Sequence, residues 1–257
     1  MAAMLETLST VMKTRINRYW KAIIHRIRGG TELDEIIPAE IFEDSFYEAI
    51  YNIAKNHECQ HILEIGSSAG GGSTGAFVHG LSENNGVSSL YCMEISQVRY
   101  RALCDRYKKY AFVKCYNVSS IKSSRVLSFA SVGEFYKTKK TKLNKVKLET
   151  VEGWLKQDIK YMKEHPTVDI DGIKLIKEQN GISQFDLVLI DGSAFTGAAE
   201  LDDVYGARII MLDDVDDIKN YDNYHRLKND PEYTLTKEDW SLRNGFAVFE
   251  RVKPASQ

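Results

Sequence analysis

Glycines crowd one short stretch of this 257-residue chain, LEIGSSAGGGST, and carboxylates stand at the ends of the apolar runs around it. Glu64 comes first, followed by Gly66, Ser67, Ser68, Gly70, Gly71, Gly72 and Ser73. Glycines let a backbone turn sharply and approach a ligand closely. The stretch is not GxGxxG in the dinucleotide register and lacks the GK[ST] ending of a phosphate loop. An acid just before the glycines is awkward beside a pyrophosphate but suits a cationic ligand, such as a sulfonium or an α-amino group. About thirty residues on, Glu94 and Ile95 close the run SLYCMEI. A carboxylate there can accept both hydroxyls of a ribose, so a nucleoside ligand is the expectation.

Asp191 ends the run FDLVLI, and Asp213 and Asp214 end the run IIML. Three carboxylates at neighbouring strand ends repel one another unless something neutralises them. A hard divalent cation, Mg²⁺ for choice, would do so with oxygen ligands. The alternative is that these acids are solvated or cap helices, where Asp is favoured.

The elements that must position these residues follow from apolar pattern. Strands are expected at 61–65, 89–95, 112–118, 185–190 and 207–212, with YTLTKEDW and GFAVFERV closing the chain. Helical spacing runs through 42–56, 73–83, 97–109, 149–164 and 196–204. Alternating strands and helices imply an α/β fold: a Rossmann-like, doubly wound, seven-stranded sheet with helices on both faces. It should be mostly parallel, with an antiparallel C-terminal hairpin at one edge. Residues 121–183 exceed one crossover helix and hold an insertion with six lysines in KTKKTKLNKVK, at 137–147. That run reads as a solvated loop, or as a lid drawing in an anionic acceptor. Arg243-Asn244-Gly245 precedes the last strand and could turn toward the same cleft.

Residues 1–30 form a basic amphipathic helix by pattern, for packing, for a homodimer arm or for peripheral membrane contact, and 31–257 form the main domain. A net charge of −2 argues against a nucleic-acid partner. No apolar run is long enough to span a membrane, and no secretory leader is evident. Cys59, Cys92, Cys104 and Cys115 form no CxxC pair and read as core packing, which fits a reducing, cytoplasmic setting.

Four of these segments together resemble class I S-adenosylmethionine-dependent methyltransferases. LEIGSSAGG is similar to the first motif of that family, YCMEIS to its acidic second strand, FDLVLIDGS to its fourth-strand motif, and IIMLDDV to the paired acids of metal-dependent O-methyltransferases. The likeness is greatest to the catechol-type and macrolide-sugar groups, over about 60–120 and 185–250. It implies that Gly66, Ser67 and Gly70 line the methionine part of S-adenosyl-L-methionine, with Glu64, Ser68, Ser73 and Ile95 completing the cofactor site. Glu94 would hold the ribose and Ser119 the adenine. Asp191, Asp213 and Asp214 would bind the metal, which would lower the pKa of an acceptor hydroxyl and aim it at the methyl group.

One position departs from the pattern. The macrolide-sugar group has a histidine three residues beyond the fourth-strand aspartate, and this chain has Ala194. Asp191 and His225, in NYDNYHRL, are the catalytic candidates that remain. Three readings follow: metal-assisted O-methylation of a hydroxyl on a sugar, glycan or secondary metabolite; metal-independent N- or O-methylation; and a cofactor-binding protein without turnover.

Overall fold

The computed structural model describes residues 33–252, so the N-terminal helix expected over 5–27 lies outside the described residues. Seven strands form one sheet in the order β3-β2-β1-β4-β5-β7-β6. They are β1 His61–Ile65, β2 Ser89–Met93, β3 Val113–Tyr116, β4 Leu187–Ile190, β5 Ile209–Asp213, β6 Tyr233–Asp239 and β7 Phe246–Arg251. The first five pair in parallel, whereas β7 runs antiparallel to β5 and to β6. The C-terminal hairpin is thus at the edge, with its second strand inserted against β5 and its first outermost.

The strands lie in the middle because both of their faces are apolar, as covered parallel sheets require. All four residues of β4 are fully buried. On one face Leu63, Ile65, Val188, Ile190, Ile210 and Leu212 pack with the helices α6 Gly172–Asn180, α7 Gly197–Val204 and α8 Tyr221–Lys228. On the other, Ile62, Leu187, Leu189, Ile209 and Met211 meet α1 Ser45–Asn56, α2 Ser73–Glu83 and α3 Gln97–Tyr107. Local signals start these helices: the Asp44 carboxylate accepts from the Phe46 and Tyr47 amides, and the Ser96 hydroxyl from the Arg99 amide. Gly181, at φ +64°, ends α6 in the left-handed region.

Between β3 and β4 the chain forms three helices where the sequence suggests one. The true crossover is α6. Ahead of it, α4 Phe129–Thr138 and α5 Leu148–Glu164 pack through Val132, Phe135, Val151 and Leu155 on Phe195 and Ile218. Those two partners follow β4 and β5, so the insertion is seated over the carboxyl ends of the strands. The lysine stretch is part of this packing, because Lys142 Nζ donates to the carbonyls of Trp240 (2.7 Å) and Arg243 (2.8 Å). Among the described residues no helix is long and apolar enough to cross a membrane.

Candidate active site

After β3 the chain crosses the sheet to β4, which then pairs with β1, so direction switches between β1 and β4. Strand ends splay at such a point and leave a crevice. A cavity of about 830 Å³ opens there, near the top of the range for small-ligand sites.

Its floor is the turn after β1. Gly66 has φ +90°, and a Cβ on it would lie 2.1 Å from the Asp191 carbonyl oxygen. Only glycine allows β1 and β4 to close so tightly. The amides of Gly66 and Ser67 then donate to the Met93 carbonyl (3.2 and 2.9 Å), which fixes the turn against β2. Ser68 adopts φ +50° and turns its amide to Glu94. The Glu94 carboxylate, 6% exposed, also accepts from the Ser96 amide at 2.7 Å and lines the cavity beside Ile95. Burial pushes its carboxyl above the usual range, with Arg99 and the two amides pulling it down. Ser119 lines the cavity from the end of β3.

Two residues assigned to the cofactor do other work. Glu64 is fully buried, on the α1–α2 side of β1 with Ile62. Its carboxylate accepts from the hydroxyls of Ser67 (2.7 Å), Ser73 (2.6 Å) and Thr74 (2.7 Å), tying the turn to the start of α2. It does not line the cavity, though Ser67 and Ser73 do. Gly70, at φ +73°, faces α3, where a Cβ would meet Tyr107 at 2.6 Å; its carbonyl accepts from the Tyr107 hydroxyl.

Asp191, Asp213 and Asp214 converge, with ligand oxygens within 4.8 Å of one another. Each has a cationic partner from the chain itself. Lys219 Nζ lies 2.7 Å from Asp191 Oδ1 and 2.7 Å from Asp214 Oδ2. The second Asp214 oxygen accepts from Asn244 Nδ2 at 3.1 Å, and Arg243 pairs with Asp213 at 3.0 Å and with Asp44. Burial pushes Asp191 well above the ordinary carboxylate range, Lys219 pulling against it; burial raises Asp213 to about 6, against Arg243. A Mg²⁺ ion needs oxygens at about 2.1 Å in octahedral array. With the ammonium between Asp191 and Asp214, the cluster does not fit such an ion.

His225 is not part of the site. Tyr224 and Leu227 turn inward from α8, which leaves His225 exposed against the Tyr221 ring (centroids 4.5 Å apart) and outside the cavity lining. Ala194 does line the cavity. Beside it stands a residue that the sequence did not single out: Asp158, on α5, accepts from Ser193 Oγ at 2.5 Å. Burial pushes its carboxyl up to about 6, against the Ser193 hydroxyl and Arg99. Trp154, Gln157 and Met162 bring the rest of this helix face to the cavity, and the segment Leu33–Phe42 covers the other side. None of residues 137–147 lines it.

No protein-family profile and no curated protein matches the chain. Solved structures do. A candidate O-methyltransferase of Klebsiella pneumoniae superposes with TM-score 0.51 at 12% identity, covering 83% of both chains. A protein of Corynebacterium glutamicum superposes with TM-score 0.52 at 10% identity, covering 98% of this chain and 99% of that one. At such identity the likeness is one of fold. The sheet is the mostly parallel, seven-stranded Rossmann-like sheet that the sequence suggests, with its antiparallel C-terminal strands.

Proposed function

We propose that the chain is an S-adenosylmethionine-dependent methyltransferase acting on a hydroxyl of a sugar, glycan or secondary metabolite. The observation that carries this reading is the Glu94 carboxylate, buried at the end of β2 and facing the same cavity as the glycine turn. An acid so placed accepts two ribose hydroxyls, and the absence of a phosphate-binding pattern after β1 favours a nucleoside without a pyrophosphate. The four motif resemblances point the same way.

The chain's own groups supply what the transfer needs. Ser67, Ser68 and Ser119 line the cavity, and on this reading Ser67 and Ser68 would hold the methionine part and Ser119 the adenine. Methyl transfer is in-line displacement at sulfonium, so positioning supplies most of the acceleration. The acceptor oxygen must lose a proton. Asp158, which lines the cavity beside Ala194, takes the role first assigned to His225. A carboxyl raised toward neutrality is a better base than an ordinary one.

Assistance by Mg²⁺ through Asp191, Asp213 and Asp214 is the version that the resemblance implies. It would require Lys219 to withdraw from two carboxylates. Calorimetric titration of S-adenosylhomocysteine, with and without Mg²⁺, tests the core reading. Micromolar binding that Glu94→Ala weakens supports it; no binding in either condition removes it.

A further inference from the structure

Three charged features have no part in holding the proposed cofactor: the buried Glu200 beneath the end of β4, the lysine stretch 137–147, and the salt-bridged cluster at the ends of β4 and β5, whose Asp191, Asp214 and Lys219 line the cavity. Glu200 is held by Ser120 and lies outside the cavity lining, and the lysine stretch is anchored on the β6–β7 turn. The cluster carries an inference.

We propose that the Lys219 ammonium is the resident cation of this site, standing where a divalent metal would have to bind, so that the chain works without one. This rests on the methyltransferase reading for its meaning, but not for its geometry.

Three observations support it. First, Lys219 Nζ bridges Asp191 and Asp214 at 2.7 Å each while its side chain is only 5% exposed. A lysine lying there by chance would keep its ammonium in water, because burying an unpaired charge is costly. Second, the backbone carrying Lys219 is stapled to both strands that carry the acids. The Asn220 side-chain amide donates to the carbonyls of Ile190 (3.0 Å) and Asp213 (2.6 Å), the residues just before Asp191 and Asp214. Third, that backbone is packed without slack: a Cβ on Gly197 would lie 2.0 Å from the Lys219 carbonyl oxygen. The ammonium is therefore delivered by a rigid turn.

The chemical consequence concerns the acceptor. Lys219 lines the cavity and would offer its charge there as a point source. A chelated metal grips two adjacent oxygens at once. An ammonium lowers the pKa of one oxygen at a time, so recognition of a vicinal oxygen pair is not built into this site.

The test uses Mn²⁺ as the probe and needs no acceptor. Wild-type protein is titrated with Mn²⁺ by electron paramagnetic resonance, alone and with S-adenosylhomocysteine, and Lys219→Met is titrated alongside. The expected result is no saturable Mn²⁺ site in the wild type, and in Lys219→Met a site at least about tenfold tighter than any wild-type binding. Stoichiometric Mn²⁺ binding by the wild type, lost on Asp191→Asn, would overturn the proposal. So would a folded Lys219→Met that gains no site. If that variant does not fold, the wild-type titration decides alone. Calorimetry with S-adenosylhomocysteine in chelator reports separately on the methyltransferase reading, so either idea can fail without the other.

Discussion

The Ser193 hydroxyl donates to Asp158 at 2.5 Å, joining the loop after β4 to a helix of the insertion. Through this contact the insertion contributes to the site. Burial holds the Asp158 carboxyl near 6, above the usual 3.8, so folding favours the protonated form. Its contribution to stability is complete below about 4 and is lost as pH rises through about 6. Asp158→Asn keeps a group for Ser193 to donate to and removes the charge. The variant should therefore be more stable than wild type at pH 8, by about 1–2 kcal/mol after allowance for partial exposure, and equal to it at pH 4. Urea unfolding at the two pH values measures this. With an acceptor in hand, the wild-type rate should rise with pH through about 6, and the variant should lose at least about a hundredfold in kcat with that limb gone. An unchanged pH profile would remove Asp158 as the base.

Glu94 and Glu64 should differ in their effects on ligand and on stability. Glu94 faces the cavity, and Glu64 faces away from it. Glu94→Gln should weaken S-adenosylhomocysteine at least tenfold, about 1.4 kcal/mol, with a small change in unfolding midpoint. Glu64→Leu leaves three buried hydroxyls without their acceptor. It should lower stability by about 2–3 kcal/mol. Calorimetry and thermal unfolding on both variants separate the roles; equal losses of affinity at equal stability would contradict the assignment.

The glycine turn offers a paired control. A Cβ on Gly66 would strike the Asp191 carbonyl at 2.1 Å, whereas one on Gly71 would have Ala39 at 3.7 Å as its nearest neighbour. Gly66→Ala should cost more than about 2 kcal/mol, from both the clash and the left-handed backbone. Gly71→Ala should stay within about 1 kcal/mol of wild type. Thermal unfolding of the two proteins reads the difference directly.

The sheet was legible because parallel strands buried on both faces are short continuous apolar runs, as in LVLI and IIMLD. Glu94, Asp191, Asp213 and Asp214 were legible because an acid closing such a run must lie at the carboxyl edge. Other residues needed the third dimension. Glu64 reads as a ligand group by position, yet period-two alternation along β1 puts it with Ile62, under α2. His225 is close in sequence to the acids, yet the helical register of Tyr224 and Leu227 turns it outward. Lys219 and Asp158 carry no sequence signal of burial, since lysine and aspartate are mostly solvated. The three acids converge as their places at the strand ends imply, while the pairing of Lys219 and Arg243 with them carries no signal in the sequence. Arg243-Asn244-Gly245 could turn toward the cleft by sequence; in the structure Arg243 and Asn244 reach Asp213 and Asp214, and none of the three lines the cavity.

Arg243 joins the cluster to the start of α1, pairing at once with Asp213 and with Asp44, the carboxylate that caps that helix. Burial opposes its charge, but Asp213 and Asp44 outweigh burial and hold the guanidinium protonated. Removing one partner of a buried ion pair strands the other, at about 3 kcal/mol or more. Arg243→Leu should therefore destabilise strongly, and unequally with pH. Asp213 already sits near 6 with Arg243 beside it, and without that partner its carboxyl rises further. A raised carboxyl loses its contribution as pH rises, so the deficit of Arg243→Leu should be larger at pH 8 than at pH 5. Adding Asp213→Asn removes the stranded charge and should recover part of the loss, the coupling that a double-mutant cycle measures. Arg243 does not line the cavity, so S-adenosylhomocysteine affinity should change little at a temperature where the variant is folded. A deficit independent of pH, or one that Asp213→Asn leaves untouched, would show that Arg243 stabilises by packing and not by charge.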